Sequence, residues 1–544
     1  MILVTGRILD ELSEVCSDLA EFDAVVAENG GLIYFPDSGS TIQLGAPPSA
    51  DFLGDLRASG VPFRTGAVVV STWEAHLQET FALMRRHALD AHVVFNRGAV
   101  MVLPTNVNKA TGVRRALSEL RRSERNLIAF GDAENDLPLF TVAEFAVAAA
   151  NSVPGVAIQA DDRLALSGGA GVARYIHHVL ERQGQVATPP RRHITLGHTE
   201  EGAAVTLPAS GLNMMISGDP HSGKSWLAGL IAERLLDQGY RLCLLDPEGD
   251  HAALARRPDV LLLGDEIALP SPISVARILH DRDLSLVLLL GRLSAREQMG
   301  YVGRVLEQLA ASAAATGVPH WIVADEAQYF FNRADPDRCL LSGMVNLLLA
   351  TYRPSLIADD ILAKIGAHIV ARTALEEERY FLSSLLNRDG PPDLVAHDVL
   401  AQLDLTHAGL LRGDASGPRW QVFTPSSRTT PHTHHARKYA DTQLPDDKAF
   451  RFQCVGDAPP ALARNVMEFH RAIRSVPQSS LRHHLAHADF SRWASEVLGD
   501  PSLAGGLRKI ERATEVGADP NRAEILLQIE SRYRMDREGP PQAA

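Results

Sequence analysis

The sequence predicts an α/β protein: two consecutive units on parallel sheets, followed by a small α-helical unit. Three observations carry this. Short, continuous apolar runs alternate with longer segments of helical period as far as about residue 430, the pattern of strands buried on both faces and covered by helices. The alternation stops after the Ser/Thr/His-rich stretch 426–435, beyond which only helical periods remain. A chain of 544 residues with 45% hydrophobic and 22% charged side chains has the composition of several folded domains and excludes a disordered or collagenous polymer.

Charge and cysteine content narrow the function classes. Fifty-three basic against 66 acidic residues leave a formal charge of −13, which argues against nucleic acid as a partner by bulk electrostatics. Cys16, Cys243, Cys339 and Cys454 lie far apart with no CxxC pair, so neither a cysteine zinc site nor a disulfide framework is expected. No apolar run reaches membrane-spanning length and no basic-then-apolar leader opens the chain. A cytoplasmic protein without a membrane partner is expected.

The first unit, residues 1–183, has strands expected at 2–5, 24–27 and 127–130 and helices at 8–21 and 109–122. Its chemistry-bearing stretches are Val4-Thr5-Gly6, Glu28-Asn29-Gly30-Gly31, Asn108-Lys109-Ala110-Thr111-Gly112 and Gly131-Asp132-Ala133-Glu134-Asn135-Asp136. The last places two carboxylates on one tight loop past a strand end. A helix N-cap box is the plain alternative for it, but the other three stretches, in order, outweigh that reading. Together the four resemble the haloacid-dehalogenase phosphatase superfamily, in the subgroup with an α/β cap between core motifs. The resemblance implies a Rossmann-like core with a cap over about residues 33–103. It further implies Thr5 bonding a phosphoryl oxygen, Lys109 neutralising phosphoryl charge, Asp132 and Asp136 holding Mg²⁺, and a small phosphate ester as substrate.

The superfamily's first motif, Asp-x-Asp-Gly-Thr with its aspartate nucleophile, does not occur in this sequence. Covalent phosphoryl transfer needs that carboxylate. The expectation is a core sheet short of one central strand, with neighbouring backbone groups left without partners. An upstream in-frame start that restores the strand is favoured over decay of the domain into a scaffold.

A Pro-containing linker at 184–192 leads to the second unit, residues 193–430. Expected strands lie at 213–217, 242–246, 285–290, 321–324 and 368–371, with a helix at 223–238. Gly218, Asp219, Pro220, His221, Ser222, Gly223, Lys224 and Ser225 fit G-x-x-x-x-G-K-[ST] between a strand and a helix. Glycines let backbone N–H groups turn inward around phosphates, the helix offers its positive end, Lys224 reaches the β and γ phosphates, and Ser225 ligates Mg²⁺. The run at 321–324 ends in Asp325 and Glu326, suited to hold Mg²⁺ and to deprotonate an attacking water. Residues 192–424 resemble the HerA/FtsK-like branch of P-loop ATPases. Further marks are Leu245-Asp246-Pro247-Glu248-Gly249-Asp250 and Thr351-Tyr352-Arg353-Pro354-Ser355. Relatives carry Gln, a γ-phosphate sensor, where Tyr352 stands, which puts that role in doubt here. Arg372 matches a position of a nucleotide-proximal arginine and is a candidate transition-state arginine, with a plain surface arginine as its equal alternative. The resemblance implies Mg-ATP as ligand and a ring-shaped homo-oligomer; DNA translocation is left open.

A connector at 431–442 holds His432, His434 and His435, read as an exposed polar stretch rather than a metal site. Helices are expected at 461–476, 480–487, 490–498 and 522–534 in a unit spanning 443–535, before a tail at 536–544. His483 and His487 share a helix face and are read as solvated. Phe490-Ser491-Arg492-Trp493 and Val497-Leu498-Gly499-Asp500 resemble a small helical module of unknown function, for which a partner-binding or regulatory role is expected.

The leading functional expectation is an ATP-hydrolysing protein with Lys224, Glu326 and Arg372 catalytic. The alternative is an Mg²⁺-dependent phosphatase using Thr5 and Lys109, with the ATPase regulatory. The second alternative is a non-catalytic nucleotide-binding scaffold.

Overall fold

The computed structural model describes residues 1–16, 18–182, 186–220, 222–265, 267–281, 283–335, 338–339, 346–388, 394–414, 417–430, 444, 446, 448–453, 461–498, 500–515 and 521–533. The first unit opens with β1 (Ile2–Val4), paired in parallel to β2 (Ala24–Ala27). All four β2 residues are buried small apolar side chains, which suits a strand covered on both faces. The chain then turns back into β3 (Leu32–Phe35) and β4 (Ser40–Gln43), giving the order β1-β2-β3-β4. An insertion follows: helices Ala50–Ala58 and Leu77–Arg86 over an antiparallel sheet of β5 (Arg64–Thr65), β6 (Val70–Trp73), β7 (Ala91–Asn96) and β8 (Ala99–Pro104), ordered β5-β6-β8-β7. A cap was expected from about residue 33, but hydrogen bonding assigns β3 and β4 to the core sheet, so the inserted layer begins beyond Gln43.

The chain re-enters the core through the helix Lys109–Glu119 and lays down β9 (Ile128–Gly131), β10 (Phe145–Ala148) and β11 (Asp162–Arg163), a parallel set ordered β11-β10-β9. One apolar cluster joins both strand sets: Ala24, Val26 and Ile33 pack with Val113, Ala116, Ala129, Phe140 and Ala146. The sheet itself is in two pieces. Among the described residues no strand pairs with the outer edge of β1 or of β9. The helix expected at 8–21 spans only Leu9–Val15, and a separate single turn forms at Leu19–Glu21. Cys16 is extended (φ −137°), and the Ser17-Asp18 pair that follows favours turns over helix interiors.

The second unit is an eleven-stranded mixed sheet. Its strands are β12 (His193–His198), β13 (Ala204–Pro208), β14 (Met214–Ser217), β15 (Leu242–Asp246), β16 (Val260–Leu263), β17 (Ser285–Leu289), β18 (Trp321–Ala324), β19 (Leu347–Thr351), β20 (Ala367–Val370), β21 (Ala408–Asp414) and β22 (Gly417–Pro425). The run β20-β14-β19-β18-β15-β17-β16 is wholly parallel. An antiparallel extension, β21-β22-β12-β13, closes the other side. Met214, Ile216, Leu242, Leu244 and Val323 pack on one face with the helix Lys224–Asp237, while Met215, Cys243, Leu245 and Ile322 pack on the other with Ala295–Thr316. Parallel strands fully buried on both faces read as unbroken apolar runs. The runs at β16 and β19 are just as apolar, four and five residues long, and belong to the same parallel set.

The two units meet through a polar seam. Glu144, between β9 and β10, accepts from the Tyr240 hydroxyl (2.6 Å) and from Ser210 Oγ (2.9 Å), with Arg125 and Arg192 each 3.6 Å away. Nearby, the backbone N–H of Arg241 donates to His320 Nδ1 (2.7 Å), so Nε2 carries the proton and donates to Ser123 Oγ at 2.5 Å. Burial holds the His320 imidazole down at about 3, with Arg241 and Arg125 adding to the effect.

Toward the C-terminus, helices Val466–Ser475, Gln478–Ala486, Asp489–Glu496, Pro501–Glu515 and Arg522–Tyr533 enclose Phe450, Phe452, Phe469, Phe490 and Trp493. Ring centroids 4.8–5.5 Å apart, as for Phe450–Phe469 and Phe452–Phe469, give the stacked and edge-on contacts aromatic clusters favour. The sequence reading missed the helix Pro501–Glu515 and the short pair Phe450–Arg451 with Leu462–Ala463. The connector 431–442, with His432, His434 and His435, and the tail 536–544 lie outside the described residues. No helix among the described residues is long and apolar enough to cross a membrane.

Candidate functional site

The first site lies where β1, β9 and the start of the helix Lys109–Glu119 converge on the cap. Asn108 caps that helix by accepting from Thr111 N (3.0 Å), so Lys109 enters at its first turn. Close approach sets the glycines here: a Cβ on Gly30 would lie 2.0 Å from Asn108 O, and one on Gly112 would lie 2.6 Å from Gly30 Cα. Lys109 is buried, and its Nζ donates to Asp136 Oδ1 at 2.6 Å. Asp136 Oδ2 accepts from the backbone N–H groups of Asp132 (2.8 Å) and Ala133 (3.1 Å). Both Asp136 oxygens are thus engaged. Asp136 shapes the loop after β9 and positions Lys109.

Asp132 is more open, its side chain 45% exposed, and its Oδ2 accepts from Arg97 Nη2 at 2.8 Å. With the exposed Glu134 carboxylate on the same loop, it offers a hard oxygen donor of the kind Mg²⁺ takes. Thr5, at the end of β1, accepts from Arg7 N through Oγ1 (3.1 Å), which leaves its hydroxyl proton to be donated. Asn135 Nδ2 donates to Asn29 Oδ1 (2.8 Å), tying the β9 loop to the turn after β2. Glu28, at φ +52°, accepts from the backbone N–H groups of Ala67, Val68 and Val69 and latches that turn to the cap. Thr5, Lys109, Asp132 and Asp136 therefore belong to one region; Arg97, Asn29 and Glu28 were not legible as parts of it.

The second site sits at the carboxyl ends of β14, β18 and β19, adjacent parallel strands. Gly218 (φ +151°) and Gly223 (φ +94°) bracket the loop, and a Cβ on Gly218 would meet Ser222 Oγ at 2.5 Å. Lys224 and Ser225 open the following helix, both buried, and Lys224 Nζ donates to Asp219 O (2.8 Å). Asp219 N donates to Arg372 O (2.9 Å) and its carboxylate accepts from Ala374 N, bracing the loop against the segment after β20. Arg372 itself is exposed. Pro220 lies in the loop, and His221 falls outside the described residues.

Asp325 and Glu326 are buried at the end of β18. Glu326 stands in the left-handed region (φ +47°), a strained conformation for a non-glycine residue that is frequent at functional sites. Its Oε2 accepts from Gln328 Nε2 (2.7 Å), and Gln328 Oε1 accepts from Thr351 Oγ1 (2.6 Å). Asp325 Oδ2 lies 3.0 Å from His251 Nε2. Burial pulls the His251 imidazole down, but Asp325, Asp246 and Asp250 outweigh it and hold it above its ordinary value. The Tyr352 ring centroid is 5.9 Å from Lys224 Nζ, in cation–π range. Tyr352 thus faces the lysine of the loop, and Gln328 supplies an amide beside Glu326. Gln328 lies two residues after Glu326, and His251 directly follows the stretch 245–250.

Near the C-terminus, His483, His484 and Asp489 hold ligand atoms within 4.8 Å of one another. Gln453 N donates to His484 Nε2 (2.9 Å), so Nδ1 carries the proton given to Asp489 (2.7 Å). Both His484 nitrogens serve the bundle.

The profile of the haloacid dehalogenase-like hydrolase family matches residues 62–176. The phosphoglycolate phosphatase of Sulfurisphaera tokodaii is 29% identical over 184 residues, covering 33% of this chain and 77% of that protein. That of Methanothermobacter thermautotrophicus is 27% identical over 195 residues, covering 33% and 83%. A solved haloacid dehalogenase-like hydrolase from Bacteroides thetaiotaomicron aligns at 18% identity over 33% of this chain and 86% of its own, with a TM-score of 0.30. The chain therefore carries a hydrolase-class region in its first unit. More particularly, residues 62–176 are the part that matches the haloacid dehalogenase-like hydrolase family.

Proposed function

We propose that the first unit is an Mg²⁺-dependent site for small phosphate esters, of the kind the phosphoglycolate phosphatases act on. The observation that carries this is the buried Lys109–Asp136 pair, set on the same loop as the open Asp132 carboxylate. Lys109 brings a fixed positive charge to a phosphoryl group, and Asp136 prevents that lysine from swinging away. Thr5 donates its hydroxyl to a phosphoryl oxygen. Mg²⁺ on Asp132 supplies neutralisation of phosphoryl charge. The likeness to phosphoglycolate phosphatases over most of their length supports the reading.

The family's Asp-x-Asp-Gly-Thr nucleophile does not occur in these 544 residues, so binding and turnover separate. Adding such a strand ahead of Met1 is expected to produce p-nitrophenyl phosphate hydrolysis that Asp132→Ala abolishes. No turnover, or turnover indifferent to Asp132→Ala, would count against the reading.

A second reading rests on a different observation, the buried Lys224–Ser225 and Asp325–Glu326 sets at adjoining strand ends. We infer that this unit binds and hydrolyses Mg-ATP, with Lys224 on the phosphates, Ser225 and Asp325 toward Mg²⁺, and Glu326, oriented by Gln328, on the attacking water. It acts on its own account or as a regulator of the first unit, and the HerA/FtsK resemblance supports a homo-oligomeric ring. Mg²⁺-dependent ATP hydrolysis lost in Lys224→Ala is the expected result; equal rates in both proteins would remove it.

A further inference from the structure

The corner between the helices Gln478–Ala486 and Asp489–Glu496 gathers side chains that neither candidate site uses. His487 closes the first helix, Ala488 stands in the left-handed region at φ +52°, and Asp489 opens the second helix. A residue with a Cβ holds that conformation at a cost in strain. His483 and His487 lie one turn apart on one helix face, with ring centroids 4.3 Å apart. His487 Nδ1 donates to His483 O at 2.8 Å, so Nδ1 carries the proton and Nε2 keeps its lone pair. Metal-ligating imidazoles are commonly oriented in this way, by giving the other N–H to a backbone carbonyl. Ligand atoms of His483 and Asp489 lie within 4.8 Å of each other. Asp489 Oδ2 accepts from His484 Nδ1 (2.7 Å) and Oδ1 from Arg492 Nη2, and each oxygen retains a further lone pair.

We propose that His483, His487 and Asp489 form a binding site for a divalent transition-metal ion of the zinc class, and that the ion staples these two helices together. Two imidazoles and a carboxylate are donors that Zn²⁺ takes, whereas Mg²⁺ and Ca²⁺ prefer oxygen alone. His484 is not a ligand, because both its nitrogens are committed, to Gln453 N and to Asp489. It is a positioning residue that aims the Asp489 carboxylate from behind. Zinc bonds of about 2.0–2.2 Å draw donors closer than 4.8 Å, and rotation of the surface side chains between staggered rotamers supplies the difference. Arg482, on the same open face, and Arg492 are the neighbouring cations. The donors come from both sides of Ala488. The ion therefore closes the strained turn at the point where the second helix sends Phe490 and Trp493 into the aromatic core. The site is independent of both the phosphate-ester and the ATP readings.

The test is calorimetric titration of the full chain with ZnCl₂, after chelator treatment, without a polyhistidine tag and in excess Mg²⁺. The expected result is a zinc-binding step that His483→Gln and His487→Gln each weaken about tenfold or more. His487 is exposed and His483 half-buried, so both variants should keep the circular dichroism of the unaltered chain. Zinc should also slow amide hydrogen exchange across residues 483–496 in the unaltered chain and not in the double variant His483→Gln/His487→Gln. Zinc uptake that is the same in the unaltered chain and the double variant, whether strong or absent, overturns the site. Uptake lost in the double variant but without protection of 483–496 in the unaltered chain overturns the stapling role.

Discussion

The two candidate sites contrast in how the fold supports them. The second is held by consecutive strands of an unbroken parallel sheet, and its Lys224, Ser225, Asp325 and Glu326 are all buried. The first spans a sheet in two pieces, with β1 and β9 as separate edges, and its parts are joined by side chains: Lys109 to Asp136, Asn135 to Asn29, Arg97 to Asp132. Backbone pairing fixes one site, whereas side-chain contacts join the other. Substitutions should therefore act differently on the two.

The largest effect belongs in the sheet-based unit. Glu233, fully buried, accepts from Arg428 Nε (3.0 Å) and from Thr429 and Thr430, tying the helix after the glycine loop to the segment after β22. Burial raises its carboxyl, but Thr430, Thr429 and Arg428 outweigh this and hold it below the ordinary range. Glu233→Ala leaves Arg428 buried without its partner and should cost about 3–5 kcal/mol in chemical denaturation. In the first unit, Lys109→Ala should cost about 2–3 kcal/mol, less because two backbone amides still satisfy Asp136. Lys109→Ala with Asp136→Asn should then lose less than the sum of the two single changes.

The seam between the units gives a pH test. His320 is held at about 3 against an ordinary 6.5, so between those values the unfolded chain binds the extra proton. The stability from the neutral imidazole is present above pH 6.5 and is lost as pH falls, by about 1.4 kcal/mol per pH unit toward 3. Thermal melts across that window should show the slope, and His320→Gln should flatten it. The smallest effect is at the cap: Arg97→Asn removes an exposed ion pair and suits the turn between β7 and β8, where φ is +47°, so stability should change by only about 0–1 kcal/mol.

These differences also explain what could be read from the sequence. Residues 218–225 are contiguous, and their strand–loop–helix context is local, so the loop was legible whole. Lys109, Asp132 and Asp136 were found through short stretches, but the division of labour between the two aspartates depends on which oxygens Lys109 and the loop amides occupy. Arg97 lies 35 residues from Asp132 and carries no local pattern beyond an arginine before a glycine; only the folding of the cap over the core aims it. The β21–β22 hairpin was not legible because an antiparallel pair extends a sheet whose expected strands are parallel.

The most direct test of the phosphate-ester site is the heat of binding of 2-phosphoglycolate to the 544-residue chain, with and without Mg²⁺, in the unaltered protein and in Lys109→Ala. The account predicts binding that requires Mg²⁺ and is lost in Lys109→Ala while ATP binding at the second site is unchanged. Binding indifferent to both Mg²⁺ and Lys109, or none in the unaltered chain, would contradict it.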